Sequence, residues 1–568
     1  MNTVNTPFKI LWRVFIEQFA ANESATSDIQ TRRAIIGVIT FLVMPGLFLM
    51  MRTMSGYEVM VKVARAKETP QIVEGFLAQM AVLFVSYSMI STGLLTVFIW
   101  DALVFDKRDA MVLGPLPLGG RTIVGAKLAA LATFLLGTAL AVNVVSGVSF
   151  GFVTGALDGR ILQHLAGHWA GTIGGAVFIF CALVIVRGLL VLLVSAHIAE
   201  TVGSVLQFVF LSAVLCFMMV PTATGQVVPP ISWFAALFEL IRGSSVPALP
   251  GLAQFAVVGL PVSIAGAIAI TVAGYWKQMR AALAPSARVA GTARIRRRLA
   301  ALIVGRDRVA RATSDFVLTT LARSRVQQAP IAIAAALGVA IISIAIVSRE
   351  GGLAELRTPR TVVLWIPIVL GYWVVVGLRA SFVIPTELKA AWAFRVHSQL
   401  PSASYWSGVR AAMFAFAIGP ALLVNACVVG PLLGSRIAAI HALVVTFAIA
   451  ITAQFASLLV QGVPFTRAYP PGHAKLKTRW QFYLLGMFAI AYAPVRWEMA
   501  LLNDPAGLAG LLAIGLALLI ALEIAGRYRA RKWTLPPEPD FEDADPEALT
   551  FLNLGPDAGH NPQPATIR

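Results

Sequence analysis

Apolar residues run along this chain in long blocks separated by short polar segments. Twelve blocks stand out, at about 34–51, 77–100, 123–153, 170–196, 203–222, 251–275, 329–348, 361–383, 411–434, 437–461, 480–497 and 506–526. Most approach or exceed the ~20 residues that a helix needs to cross the hydrocarbon layer of a bilayer. An outer-membrane barrel is excluded, because its segments would alternate residue by residue over about 10 positions. The pattern predicts an all-α integral membrane protein with about twelve transmembrane helices in two six-helix halves. Residues 7–20, FKILWRVFIEQFAA, are different: Lys9, Arg13 and Glu17 interrupt the apolar positions. That mixture suits a helix lying in the membrane interface and does not read as a cleavable signal peptide.

Composition agrees. Of 568 residues 58% are apolar and 13% charged, and the mean hydropathy is +0.79, whereas soluble domains carry about 25% charged residues. The 45 Lys and Arg against 27 Asp and Glu leave a net charge of +18. In a soluble protein this would suggest a nucleic-acid partner. Here the cations sort by side instead. With a cytoplasmic N-terminus, 33 fall on inside segments and 11 on outside ones, and Arg187 lies within the fourth block. This bias predicts that both termini are cytoplasmic. One loop dissents: Arg52, Lys62, Arg65 and Lys67 would lie outside, and a re-entrant or missed segment there would change the helix count.

The expected organisation is an interfacial helix in 1–33, a first transmembrane half in 34–275, a connector in 276–328, a second half in 329–526 and a tail in 527–568. The connector holds twelve cations and few aromatic residues. It is expected to lie on anionic headgroups rather than on nucleic acid. The tail turns Pro-rich and acidic, a composition that predicts disorder.

Little in the sequence carries chemistry. Cys181, Cys216 and Cys427 sit far apart in apolar blocks and read as packing residues. His164 and His168 are spaced four apart but have only Asp158 nearby, too few ligands for zinc. No metal site is expected. Arg187 is an intramembrane polar candidate, close enough to the cytoplasmic end for its side chain to snorkel. Glu523 and Arg527 read as an interfacial ion pair. The segment PLPLGGRT (115–122) has Pro115 and Arg121 where a phosphate loop needs Gly and Lys, so no nucleotide site is read. Without a nucleophile–base cluster at a membrane face, catalysis by this chain is not expected.

The two halves share a pattern. Each opens on an amphipathic stretch, 7–20 in the first and Phe316 to Arg325 in the second. Each carries a cytoplasmic loop after its second span, with Leu116-Pro117 in one and Leu400-Pro401 in the other, 284 residues apart. A basic residue follows ten positions after Pro117 (Lys127) and nine after Pro401 (Arg410). Parallel repeats of this kind recur in transporters. In the first loop Gly114, Pro115, Pro117, Gly119 and Gly120 forbid a continuous helix. Asp101, Asp106, Lys107, Arg108 and Asp109 form a mixed-charge stretch before the break, suited either to a solvated turn or to docking a soluble partner.

At this loop, WDALVFDKRDAMVLGPLPLGGRTIVGAK, the chain resembles the ABC-2-type export permeases, in particular bacterial forms in which two modules are fused. The resemblance implies that 7–20 is an elbow helix and that PPISWFAALFELIRG (229–243), with Glu239 and Arg242, is a re-entrant extracellular helix. It also implies that Asp106, Lys107, Arg108, Asp109, Leu116, Pro117 and Arg121 couple to an ATPase. By the same resemblance the partners are a separate ABC ATPase subunit that carries ATP and Mg²⁺, the lipid bilayer and an unnamed substrate. No cofactor is held by this chain, and the location is the bacterial inner membrane. A major-facilitator-like secondary transporter is the alternative. It fits less well, because DALVFDKRD lacks that fold's loop pattern and few acids lie in the spans to relay protons. An integral membrane enzyme ranks third.

Overall fold

The computed structural model describes residues 6–20, 46–47, 50–51, 54–69, 71–100, 102–105, 107–194, 202–203, 205–206, 208–213, 229–244, 249–283, 304–305, 307–347, 360–384, 402–460, 464–465 and 476–532. Among these, every regular element is helical. Ten helices are long and apolar enough to cross a membrane, which makes this an all-α, multi-pass membrane protein. They coincide with ten of the twelve apolar blocks. The other two, 34–51 and 203–222, fall largely outside the described residues, as do Cys216, Asp101, Asp106, the second-half loop 385–401 and the tail from 533.

The chain divides into two compact units, 1–289 with 336–358 and 290–335 with 359–568. In the first unit the helices are α1 (Pro7–Ala20), α2 (Gln71–Phe98), α3 (Lys107–Leu113), α4 (Gly120–Asp158), α5 (Ile161–Leu193), α6 (Ile231–Arg242) and α7 (Leu249–Leu283). The central helix is α5, which packs on α2, α4, α6 and α7. It can sit there because its glycines let neighbours approach: a Cβ on Gly167 would lie 2.7 Å from the Phe238 carbonyl oxygen, and one on Gly175 would lie 2.9 Å from Met89 Cγ. A buried polar chain crosses the same core, from Asn143 Nδ2 to Ser88 Oγ (2.7 Å) and from that hydroxyl to the Thr172 carbonyl (2.8 Å).

α1 has the amphipathic form expected of 7–20. Leu11 and Phe15 are buried against α4, whereas Phe8, Ile10 and Val14 are exposed beside Lys9, Arg13 and Glu17. An apolar face of this kind, flanked by charge, suits the headgroup boundary. The 229–243 segment forms α6, a short buried helix against α2, α5 and α7.

The second unit holds α8 (Arg308–Arg323), the start of α9 (Arg325–Val347), α10 (Arg360–Ser381), α11 (Ser402–Val424), α12 (Ser435–Leu458), α13 (Leu476–Met487), α14 (Ala493–Leu501) and α15 (Pro505–Lys532). Two π-helical turns interrupt it, Asn425–Val429 after α11 and Phe488–Tyr492 between α13 and α14. Prolines at 330, 367 and 420 lie inside helices, a placement tolerated where neighbouring helices and local winding re-satisfy the backbone. The second amphipathic helix begins well before Phe316. The Asp307 carboxylate caps α8, accepting from the Val309 and Ala310 N–H groups at 3.0 and 3.2 Å, the N-cap arrangement that satisfies first-turn donors. A hydrogen bond from Ser404 is the main cause holding the Asp307 carboxyl below its ordinary range; partial burial opposes it, and the two N–H donors reinforce it.

The same neighbours meet in each unit. The amphipathic helix packs on the helix that carries the post-loop cation, α1 on α4 and α8 on α11. That helix in turn packs on the next long one, α5 in the first unit and α12 in the second.

Candidate functional site

The loop that carries the expected coupling residues is held at a buried charge. α3 is a two-turn helix, and the chain then passes through Gly114, Pro115, Leu116 and Pro117 before α4 starts at Gly120. One side of this hairpin is anchored: Ala110 and Leu113 of α3 join Leu11 and Phe15 of α1, Ile123, Val124, Ala126 and Ala130 of α4, and Tyr275 and Met279 of α7 in one apolar cluster.

Lys127 lies inside this cluster with its side chain 1% exposed. Its ammonium is 3.8 Å from Asp109 Oδ2 and stands over the rings of Phe15 and Phe105, at 4.7 and 5.5 Å from their centroids. Phe105 also meets Tyr275 edge-on, at 5.2 Å between centroids. A buried ammonium needs a counter-charge, and the aromatic faces add cation–π attraction. Asp109 is therefore not part of an exposed charged surface. It turns inward and ties α3 to α4.

The other side of the hairpin is open. Met111, Val112, Leu116, Pro117 and Arg121 are exposed. Lys107 and Arg108 open α3, and Asp106 lies outside the described residues. The site residues read from sequence thus divide into an inward anchor, Asp109, and an outward ridge formed by Leu116, Pro117 and Arg121. The anchor's partner, Lys127, was visible in sequence as the basic residue after Leu-Pro. Asp109 as its counter-ion was not, because a two-turn helix does not reveal which face it buries.

The post-loop cation of the second unit is buried too. Arg410 Nη2 lies 3.3 Å from the Glu523 carboxylate. Gln454 Nε2 donates to Glu523 Oε2 at 2.8 Å, and Arg527 Nε to Oε1 at 2.9 Å. The Glu523–Arg527 pair expected from sequence is present, with Arg410 and Gln454 completing it.

Arg187 is buried within the protein near the end of α5. Its guanidinium carbon stands 5.6 Å from the centroid of the Trp100 ring. His164 and His168 serve packing. His164 Nδ1 meets the Thr154 hydroxyl at 2.7 Å, and His168 is enclosed by Phe84, Phe150 and Phe238. Among the described residues no group of three or more His, Cys, Asp and Glu is placed to hold a metal. Cys181 is buried, but Cys427 is exposed and so is not a core residue.

At the far end of α2, Arg242 of α6 bridges two carboxylates. Its Nη2 lies 2.6 Å from Glu239 Oε2 and 2.6 Å from Glu74 Oε2. Burial works against the Arg242 charge, but the hydrogen bonds and charges of Glu239 and Glu74 outweigh it and raise its proton affinity. This triad pins α6 to α2.

Neither a family model, nor a curated protein, nor a solved structure matches the chain.

Proposed function

We propose that this chain is the membrane permease subunit of an ATP-driven, ABC-2-type exporter, energised by a separate ATPase that binds ATP and Mg²⁺. The observation that supports it best is the α3–α4 hairpin. Its exposed ridge of Met111, Val112, Leu116, Pro117 and Arg121 is fixed from behind to the interfacial helix α1 and the spans α4 and α7. A soluble partner that pushes on this ridge would move those helices together, because closely packed cores transmit displacement rather than absorb it. The recurrence of an amphipathic helix on the cation-bearing helix in both units suits a fused two-module permease. On this reading the protein resides in a bacterial inner membrane with both ends in the cytoplasm, and it exports a substrate whose class the chain does not specify.

Reversing Lys107 and Arg108 to Glu tests the reading. The protein is expected to insert normally, because no span changes, but to lose co-purification with its ATPase. Each reversal is expected to cost about 1–3 kcal/mol of association, the scale of charge contacts across an interface. Tight binding by the double variant would reduce the hairpin to a solvated turn. The topology has its own test. Cysteines introduced as S286C and A558C, in a background lacking Cys181, Cys216 and Cys427, should be labelled only from the cytoplasmic side. Labelling from outside would reverse the assignment.

A further inference from the structure

The second unit buries an acid–base pair that the reading above does not use. Glu498 of α14 and His441 of α12 both have side chains 0% exposed, and Glu498 Oε2 lies 2.8 Å from His441 Nδ1. Each keeps a second polar atom buried without a hydrogen-bond partner, Glu498 Oε1 and His441 Nε2. Close by in the fold, Asn425 Nδ2 donates to the carbonyl of Ala438, one turn before His441 on α12, at 2.9 Å. Its Oδ1 is buried and also has no hydrogen-bond partner. Asn425 opens one π-helical turn of this unit, and Glu498 follows the other by six residues. Wide turns of this type recur at functional sites in helices.

Among the described residues no further charged side chain is buried beside the pair. Arg436 on α12, Arg496 on α14, Tyr492 on the π turn and Asp504 at the start of α15 are exposed, whereas the pair is fully buried. On α10 the Tyr372 hydroxyl is committed to the Tyr483 carbonyl, and the only described thiol nearby, Cys427 on the turn after α11, is exposed. Arg410 and Glu523 belong to the opposite end of the unit. His441 and Gln454, which meets Glu523, are separated by about 20 Å along α12 at 1.5 Å per residue.

We propose that Glu498 and His441 form a membrane-buried proton-binding site. With two protons the pair is neutral overall and is held as imidazole and carboxylic acid. Loss of one proton leaves a single negative charge on the pair, with the remaining proton held between Nδ1 and Oε2. An uncompensated charge is costly in a site buried this completely, so release requires that the site open to water or that a cation enter. Glu498 Oε1, His441 Nε2 and Asn425 Oδ1 are the atoms that would receive either. The proposal stands on the second unit alone and does not depend on an ATPase partner.

The test is infrared difference spectroscopy of the full chain in lipid nanodiscs during a pH change, with proton exchange read in parallel by an indicator dye. The wild type is expected to show the carbonyl band of a protonated carboxylic acid in an apolar site, changing together with exchange of one proton. E498Q, nearly isosteric, should abolish both. H441Q should retain a carboxylic acid band but displace it, because the Nδ1 partner is gone. Persistence of the wild-type band in E498Q overturns the proposal, as does an unmoved band in H441Q. If E498Q fails to fold, the H441Q shift decides alone.

Discussion

Asp109→Ala is expected to destabilise the detergent-solubilised protein by about 3–5 kcal/mol, the range for removing one partner of a buried ion pair. The reason is what the substitution leaves behind. Lys127 is enclosed by Phe15, Phe105 and the apolar faces of α1, α4 and α7, so its ammonium cannot reach water without pulling the cluster apart. The rings compensate only in part, since a desolvated cation–π contact is worth about 2 kcal/mol. A double variant, Asp109→Leu with Lys127→Met, removes both charges at similar volume and is expected to recover most of the loss. Thermal unfolding in detergent distinguishes the cases. If Asp109→Ala unfolds at the wild-type temperature, the 3.8 Å pair carries no weight. On the permease reading proposed above, Asp109→Ala would also free α3 from α4 and so weaken binding of the proposed ATPase, although Asp109 turns inward.

The second large effect is expected at Arg242. Arg242→Met should cost about 3–5 kcal/mol, because Glu239 remains buried beside α2 and α5 without its counter-charge. Glu74 is 58% exposed, and an exposed partner contributes about 0–1 kcal/mol, so Glu74→Ala should be nearly silent. The order matters more than the absolute values: Arg242→Met far worse than Glu74→Ala. Equal effects of the two substitutions would show that the triad acts as a surface network and not as a buried anchor.

Much of this architecture was legible in the chain, and the reason is physical. A bilayer demands about 20 apolar residues per crossing, and that signal is long enough to survive imprecise boundaries. Ten of the twelve blocks coincide with candidate spans, and 7–20 folds as the amphipathic helix its pattern indicates. The Leu-Pro spacing also picked out Lys127 and Arg410, the two post-loop cations that become buried. What escaped was pairing across distance. Asp109 looked like one member of a charged run, and Glu498 was one acid near a span end with Arg496 two positions before it. Only packing separates Glu498, turned inward to His441, from Arg496, turned outward. The start of α8 escaped for a different reason: an Asp cap inside a strongly basic connector is a weak signal beside the apolar stretch at Phe316.

The contrast between α5 and α15 bears on how the sequence is free to drift. Along α5 even a methyl group has nowhere to go, since a Cβ at Gly171 would meet Phe238 Cβ at 2.8 Å and one at Gly188 would meet Ile270 Cγ1 at 2.8 Å. On α15 almost every residue of the apolar stretch lies at least partly exposed, Gly515 against Phe447 being the exception, and Ile514, Leu516, Leu518, Ile520 and Ile524 all face outward. One helix is constrained in volume and the other only in hydrophobicity. Substitutions among Leu, Ile, Val and Phe can accumulate on α15 at little cost, whereas α5 can exchange its small residues only when Phe234, Phe238, Met89 or Ile270 changes with them.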